Sequence, residues 1–125
     1  MFERMQNSRN PWQGDAKKVL AVCSAGLLRS PTLAEILIKT YKFNARAVGV
    51  DAYQALIPLD QVHIQWADEI IFLGHPVMFT ALRTFKNALQ GKTCHLFEIP
   101  DNYSFRDPKL VRLLKKKCKS IFGSK

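Results

Sequence analysis

The feature that most limits the fold of this chain is a regular alternation of short apolar runs with helical repeats. Val19-Leu20-Ala21-Val22 is a continuous apolar run of strand length, the pattern of a strand covered on both faces. Ser30-Pro31 then reads as a helix start, with Ser30 as N-cap and Pro31 at the first helical position. Leu33, Ile36, Leu37 and Tyr41 give that helix an apolar face. Residues 46–50 predict a second strand, and Pro58 opens a helix carrying Leu59, Val62 and Trp66. Residues 69–73 predict a third strand, after which Gly74-His75-Pro76 breaks the chain. Met78, Leu82, Phe85 and Leu89 recur at helical spacing, with Gly91 as the stop. Residues 93–97 read as a fourth strand. A loop with Pro100, Asp101 and Asn102 leads to a last helix near Pro108. Strand and helix thus alternate four times. That order predicts an α/β fold: a four-stranded parallel sheet flanked by helices on both faces.

The 125 residues suit one domain. Asn7, Ser8, Asn10, Pro11, Gln13 and Gly14 break any periodicity near the start. Residues 1–16 are therefore expected to be a loosely ordered N-terminal extension, and residues 17–125 a single domain. No apolar run approaches the roughly 20 residues that cross a bilayer, and the start lacks a signal-peptide core. A cytoplasmic location and reduced thiols are the expectation. The three cysteines, Cys23, Cys94 and Cys118, are too irregularly spaced for a disulfide framework. Cys94 and Cys118 read as small core residues. His63, His75 and His95 show no metal spacing, so neither a metal nor another cofactor is expected.

The chemistry concentrates in Cys23-Ser24-Ala25-Gly26-Leu27-Leu28-Arg29-Ser30. Ligands of open α/β sheets bind at the carboxyl ends of strands, and this loop lies there, ahead of a helix N-terminus. Backbone N–H groups in such a loop, residues 24–30, can form an anion-binding nest, a helix end behind it would add positive potential, and Arg29 offers a planar fork that can grip two oxyanion oxygens. Such surroundings favour the Cys23 thiolate, which is the nucleophile. Ser30 can donate a hydrogen bond to the sulfur. Gly26 permits a positive φ without a side-chain clash. The net charge of +9 favours an anionic partner.

At these residues the chain resembles the low-molecular-weight protein tyrosine phosphatases, most of all the short, predicted tyrosine phosphatase branch of that superfamily. The likeness runs from Val19-Leu20-Ala21-Val22-Cys23 through Arg29-Ser30-Pro31 to Ala34-Glu35. It continues in Trp66-Ala67-Asp68-Glu69-Ile70-Ile71 and Ile99-Pro100-Asp101-Asn102-Tyr103, and it spans residues 18–122. It implies metal-free, two-step phosphomonoester hydrolysis. Cys23 would form a cysteinyl-phosphate, Arg29 and the loop amides would hold the equatorial oxygens, and Asp101 would be the general acid. Asp107, the other nearby aspartate, precedes Pro108 and reads as a helix cap. Tyr103 is a candidate wall of the substrate pocket, and Phe105 a weaker one. The implied substrate is a phosphorylated protein or small aryl phosphate.

Three positions depart from the family pattern: Gly26 replaces a frequent Asn, Leu28 replaces a frequent second Cys, and Asn102 replaces the usual Pro after the acid. Protection of Cys23 by a loop disulfide is therefore not expected. The competing readings are an arsenate reductase-like enzyme, which needs further thiols in reach of Cys23, and a non-catalytic phosphate- or nucleic-acid-binding module. The strongly basic last helix, with Lys109, Arg112, Lys115, Lys116, Lys117 and Lys119, reads first as a solvated face.

Overall fold

The computed structural model describes residues 16–24, 29–51, 55–100 and 102–123. The expected extension, up to residue 15, lies outside them. Four parallel strands form one sheet: β1 (Lys18–Cys23), β2 (Asn44–Gly49), β3 (Glu69–Phe72) and β4 (Thr93–Leu96). Their order is β2-β1-β3-β4. Among the described residues five helices connect or follow them: α1 (Arg29–Tyr41), α2 (Gln61–Trp66), α3 (His75–Thr84), α4 (Lys86–Leu89) and α5 (Pro108–Phe122). This is the α/β architecture that the alternation predicts.

The period of a strand explains the layering. Side chains alternate across a sheet, and on β1 Val19, Ala21 and Cys23 pack into one core with Leu33 and Leu37 of α1 and Leu110, Leu114 and Cys118 of α5. Leu20 and Val22 pack into the other, with Ile64 of α2, Val77 and Ala81 of α3, and Leu89 of α4. An unbroken apolar run is what a strand needs when both faces are covered.

Local boundaries differ from the expectations for identifiable reasons. Helix α1 begins at Arg29, so Ser30 lies inside the first turn and is not its N-cap; its hydroxyl is engaged elsewhere. Pro58 forms a bridge to Gly49 and does not start a helix. Asp60 caps α2 instead, its carboxylate accepting from the His63 N–H at 3.0 Å while its own N–H donates to His63 Nδ1 at 3.2 Å. The expected helix across residues 78–89 begins earlier, at His75, and breaks at Phe85, whose φ of −122° and ψ of 36° leave the helical region. Cys118 is fully buried, but Cys94 is exposed. Among the described residues strand β4 pairs with β3 alone and lies at the sheet edge, so Cys94 is not the core residue that the sequence suggests.

At the end of the sheet away from the loop, Glu69 pairs with Lys17 and with His95 Nε2, each at 2.6 Å. Burial pushes the Glu69 carboxyl up, but the hydrogen bonds from Lys17 and His95 outweigh it and hold the group below its ordinary 4.5. A carboxyl depressed in the folded state contributes stability that is complete above its unfolded value and is lost as pH falls through the folded one. The urea midpoint should therefore fall as pH drops below about 4.5, and Glu69→Gln should flatten that acid limb. An unchanged acid limb in the variant would show that the cluster contributes nothing.

Candidate active site

The strand order reverses direction at β1, which puts the segment after β1 at the crevice where open sheets bind ligands. That segment is fixed from both sides. The Leu73 N–H donates to the Val22 carbonyl at 2.9 Å, the Val50 N–H to the Cys23 carbonyl at 3.0 Å, and the Asp51 N–H to the Ser24 carbonyl at 2.8 Å.

Cys23 ends β1 and is 3% exposed. Its Sγ lies 3.0 Å from Ser30 Oγ, in the first turn of α1. Ser30 Oγ is also 3.4 Å from the Val48 carbonyl, to which it can donate. A hydroxyl has one proton to give, so these contacts form a two-position relay. With Cys23 as a thiol, S–H can donate to Ser30 while Ser30 donates to Val48. With Cys23 as a thiolate, rotation of the hydroxyl turns that proton to the sulfur. The expected Ser30–Cys23 contact is thus present, and the carbonyl of β2 completes it.

Arg29 is 4% exposed. Its Nη1 donates to the Leu73 carbonyl at 2.5 Å and the Ile99 carbonyl at 2.8 Å, and Nη2 lies 3.5 Å from Ser24 Oγ. The two acceptors follow β3 and β4, so one guanidinium ties three strand ends together. With Nη1 held, the plane of the fork is fixed before any ligand arrives, which is the preorganisation that oxyanion recognition needs. Across the same gap, His75 Nδ1 lies 2.8 Å from Glu98 Oε1 and links the segments after β3 and β4.

The structure brings together Cys23, Ser24, Arg29 and Ser30. Ala25, Gly26, Leu27, Leu28 and Asp101 lie outside the described residues. Asp107 accepts from the Lys109 N–H at 2.9 Å and caps α5, the role its sequence context suggests. Tyr103 is half-buried and packs against the α1/α5 core. Phe105 lies beneath the Arg106 guanidinium, 4.9 Å from its ring centre. The basic side chains of α5 form no ion pair among the described residues. Sequence reasoning assigns no role to Leu73, Gly74 or Ile99, because two of them act through main-chain carbonyls that any residue supplies. The available signal was Gly74, whose chain break follows directly on β3.

No family model matches the sequence, and no curated protein sequence matches it. Solved structures do match. The tyrosine phosphatase Wzb from Escherichia coli K30, in complex with phosphate, superposes with a TM-score of 0.68 at 17% identity, covering 84% of this chain and 95% of that one. The YwlE arginine phosphatase from Geobacillus stearothermophilus gives 0.63 at 15% identity, covering 84% and 92%. A YwlE mutant from Bacillus subtilis gives 0.60 at 16%, covering 85% and 99%. The chain has the fold of the low-molecular-weight tyrosine phosphatases.

Within that phosphatase fold, no second thiol is well placed to relay electrons to Cys23. Cys118 is sealed in the α1/α5 core, and burial pushes its thiol up to about 12. Cys94 sits on β4, with β3 between it and β1. Arsenate reduction therefore gains no support from the arrangement.

Gly74 shapes the site through its backbone. Its φ of 148° and ψ of 152° fall in a region that is essentially confined to glycine. An added Cβ would meet nothing closer than 3.8 Å, from Arg29 Nη1 and Pro76 Cδ, so any cost of substitution comes from the backbone and not from a clash. Gly74→Ala should destabilise the protein by about 1–3 kcal/mol in urea unfolding, and it should weaken vanadate binding because the neighbouring Leu73 carbonyl moves. A variant as stable as the parent would refute the strain.

Proposed function

We propose that the chain is a cysteine-dependent phosphomonoester hydrolase acting on phosphotyrosine or a related aryl phosphate through a cysteinyl-phosphate. The observation that carries the reading is the pairing of Cys23 with Ser30 at 3.0 Å beside a buried arginine fixed by two main-chain carbonyls. A nucleophile and an oriented cation at one strand end are what phosphoryl transfer requires. The solved structures of this fold include proteins described as a tyrosine phosphatase and an arginine phosphatase.

The steps follow from the residues. The Cys23 thiolate attacks phosphorus, an S–P bond forms and the P–O bond to the leaving group breaks. Arg29 and the loop amides hold the equatorial oxygens as charge builds on them. Asp101, two residues after the anchored Ile99 in sequence, gives its proton to the departing oxygen. As a carboxylate it then takes a proton from water, whose oxygen attacks phosphorus. The S–P bond breaks and phosphate leaves, with the Ser30 hydroxyl turned to the sulfur. A nucleophilic thiol of this kind stays reduced in the cytoplasm, the proposed location. The exposed lysines of α5 add a positive field that draws a phosphorylated protein in.

The test is steady-state hydrolysis of an aryl phosphate across about pH 5–7, where such an acid–base pair operates. Wild type should release phosphate and be inhibited by vanadate, and Cys23→Ser should be inactive. Asp101→Ala should lose about 10²–10⁴-fold in kcat on a poor leaving group and much less on a good one, with Cys23 still alkylated at the parental rate. No turnover by folded wild type, or full activity in Cys23→Ser, would falsify the proposal. Turnover of phosphoarginine with none of phosphotyrosine would overturn the phosphomonoester assignment and leave only cysteine-dependent cleavage of a P–N bond.

A further inference from the structure

Helix α5 carries Lys109, Arg112, Lys115, Lys116, Lys117 and Lys119 and no acidic residue, so one helix holds much of the cationic excess behind the net charge of +9. All of these but Lys117 are exposed, on the face turned away from the buried Leu110, Leu114 and Cys118. Arg112 with Lys116, and Lys115 with Lys119, are like charges one turn apart, an arrangement that destabilises a helix by itself. Among the described residues none of the six forms an ion pair.

Beside this face a groove of about 150 Å³ runs between α1 and α5. Helix α1 lines it with Thr32, Glu35, Ile36, Lys39 and Thr40, and α5 with Val111 and Lys115. Ile36 is 6% exposed and the Lys39 side chain 70%, so the apolar surface lies deep and the cations stand at the rim. The one acid in the lining is already matched. Glu35 Oε2 accepts from Arg106 Nε at 2.9 Å and Nη2 at 2.6 Å, and its Oε1 lies 3.5 Å from Lys39 Nζ. The groove is also tied to the catalytic end. Thr32, in the same first turn of α1 as Arg29 and Ser30, accepts from the Arg106 N–H at 3.0 Å. From Thr32 to Thr40 the axis of α1 runs about 12 Å, the reach of about four extended residues.

We propose that this groove docks an acidic segment of the phosphoprotein substrate, with Lys39, Lys115 and the neighbouring Arg112 as counter-charges. The inference rests on the hydrolase reading above and narrows its substrate to proteins with an acidic run close to the phosphorylated residue. The shape favours a peptide over other polyanions. A bilayer surface is planar and meets only the outer lysines, and the groove lining has no aromatic ring on which a nucleic-acid base could stack.

The experiment compares kcat/KM for phosphotyrosine peptides carrying a block of four Glu, Gln or Lys on either side of the phosphotyrosine, with a simple aryl phosphate as reference. Wild type should favour Glu over Gln by about fivefold on at least one side, the effect of a well-made ion pair. It should disfavour Lys, and the preference should shrink with added salt. In Arg112→Glu/Lys115→Glu the Glu-to-Gln ratio should fall to one or below. Arg83→Glu/Lys86→Glu makes the same change in net charge on exposed positions across the sheet, and it should keep the wild-type ratio. Ratios cancel any general loss of activity or folded fraction. Equal turnover of the peptides by a wild type that hydrolyses the aryl phosphate overturns the groove and leaves the hydrolase standing. Equal losses of preference in the two double variants also overturn it, since general attraction by net charge then suffices. So does a lack of peptide preference joined to binding of phosphatidylserine vesicles or duplex DNA that Arg112→Glu/Lys115→Glu abolishes. Fluorescence anisotropy of an unphosphorylated Glu-block peptide reads the groove without catalysis. Binding there that fails in Arg112→Glu/Lys115→Glu supports the groove even where no substrate turns over, an outcome that overturns the hydrolase alone.

Discussion

Arg29 brings a permanent charge into a position that is 4% exposed. Removing such an ion from water costs several kcal/mol unless other dipoles replace its hydration. The carbonyls of Leu73 and Ile99 supply two of those dipoles. They lie 44 and 70 residues along the chain from Arg29, on the segments that leave β3 and β4. The site therefore cannot be complete until all three strands have docked in register. Conversely, the buried guanidinium penalises any arrangement in which those strand ends drift apart. Fold and site share one interaction, and the rest of the active end is organised around it.

The same economy governs β1. Val19, Ala21 and Cys23, its odd-numbered residues, serve one core and Leu20 and Val22 the other, so the strand cannot slip by one residue without turning both layers over. Cys23 is the last member of the odd set. Its position is therefore fixed by Val19 and Ala21 as much as by the loop that follows. Ser30 is fixed in turn by the first turn of α1, and the Val48 carbonyl of β2 gives its proton a resting acceptor. A hydroxyl with that alternative can turn to the sulfur when charge appears there, with little movement of heavier atoms.

The architecture was legible in the sequence because alternation of strand and helix is a long-range pattern that survives errors at each boundary. The contact of Cys23 with Ser30 was legible because short spacing and a helix start confine both residues. Boundaries fared worse where a local signal had two uses. Pro58 is as suited to a bridge after β2 as to a helix start, and Phe85 continues the apolar spacing of α3 even though its backbone leaves the helix. Cys94 was misjudged because apolar character does not reveal whether a strand is central or at the edge. The anchors of Arg29 were invisible for a different reason. Leu73 and Ile99 read as ordinary core residues, and they are, but their contribution to the site is a carbonyl oxygen that their side chains do not announce.

That last point bears on how such a site persists while sequence changes. A main-chain acceptor places no demand on the side chain that carries it, beyond what packing requires. At positions 73 and 99 the demand is a buried apolar residue, 0% and 4% exposed here, and several residue types meet it. Position 74 is different, because its φ of 148° restricts the backbone itself. Position 29 is different again, since a lysine offers a point charge and not a rigid planar fork whose one nitrogen holds two carbonyls at once. Constraint is thus concentrated on the few residues whose atoms or torsions have no substitute. The surrounding core is held only to volume and polarity, which leaves its sequence free to diverge while the strand ends keep their places around Arg29.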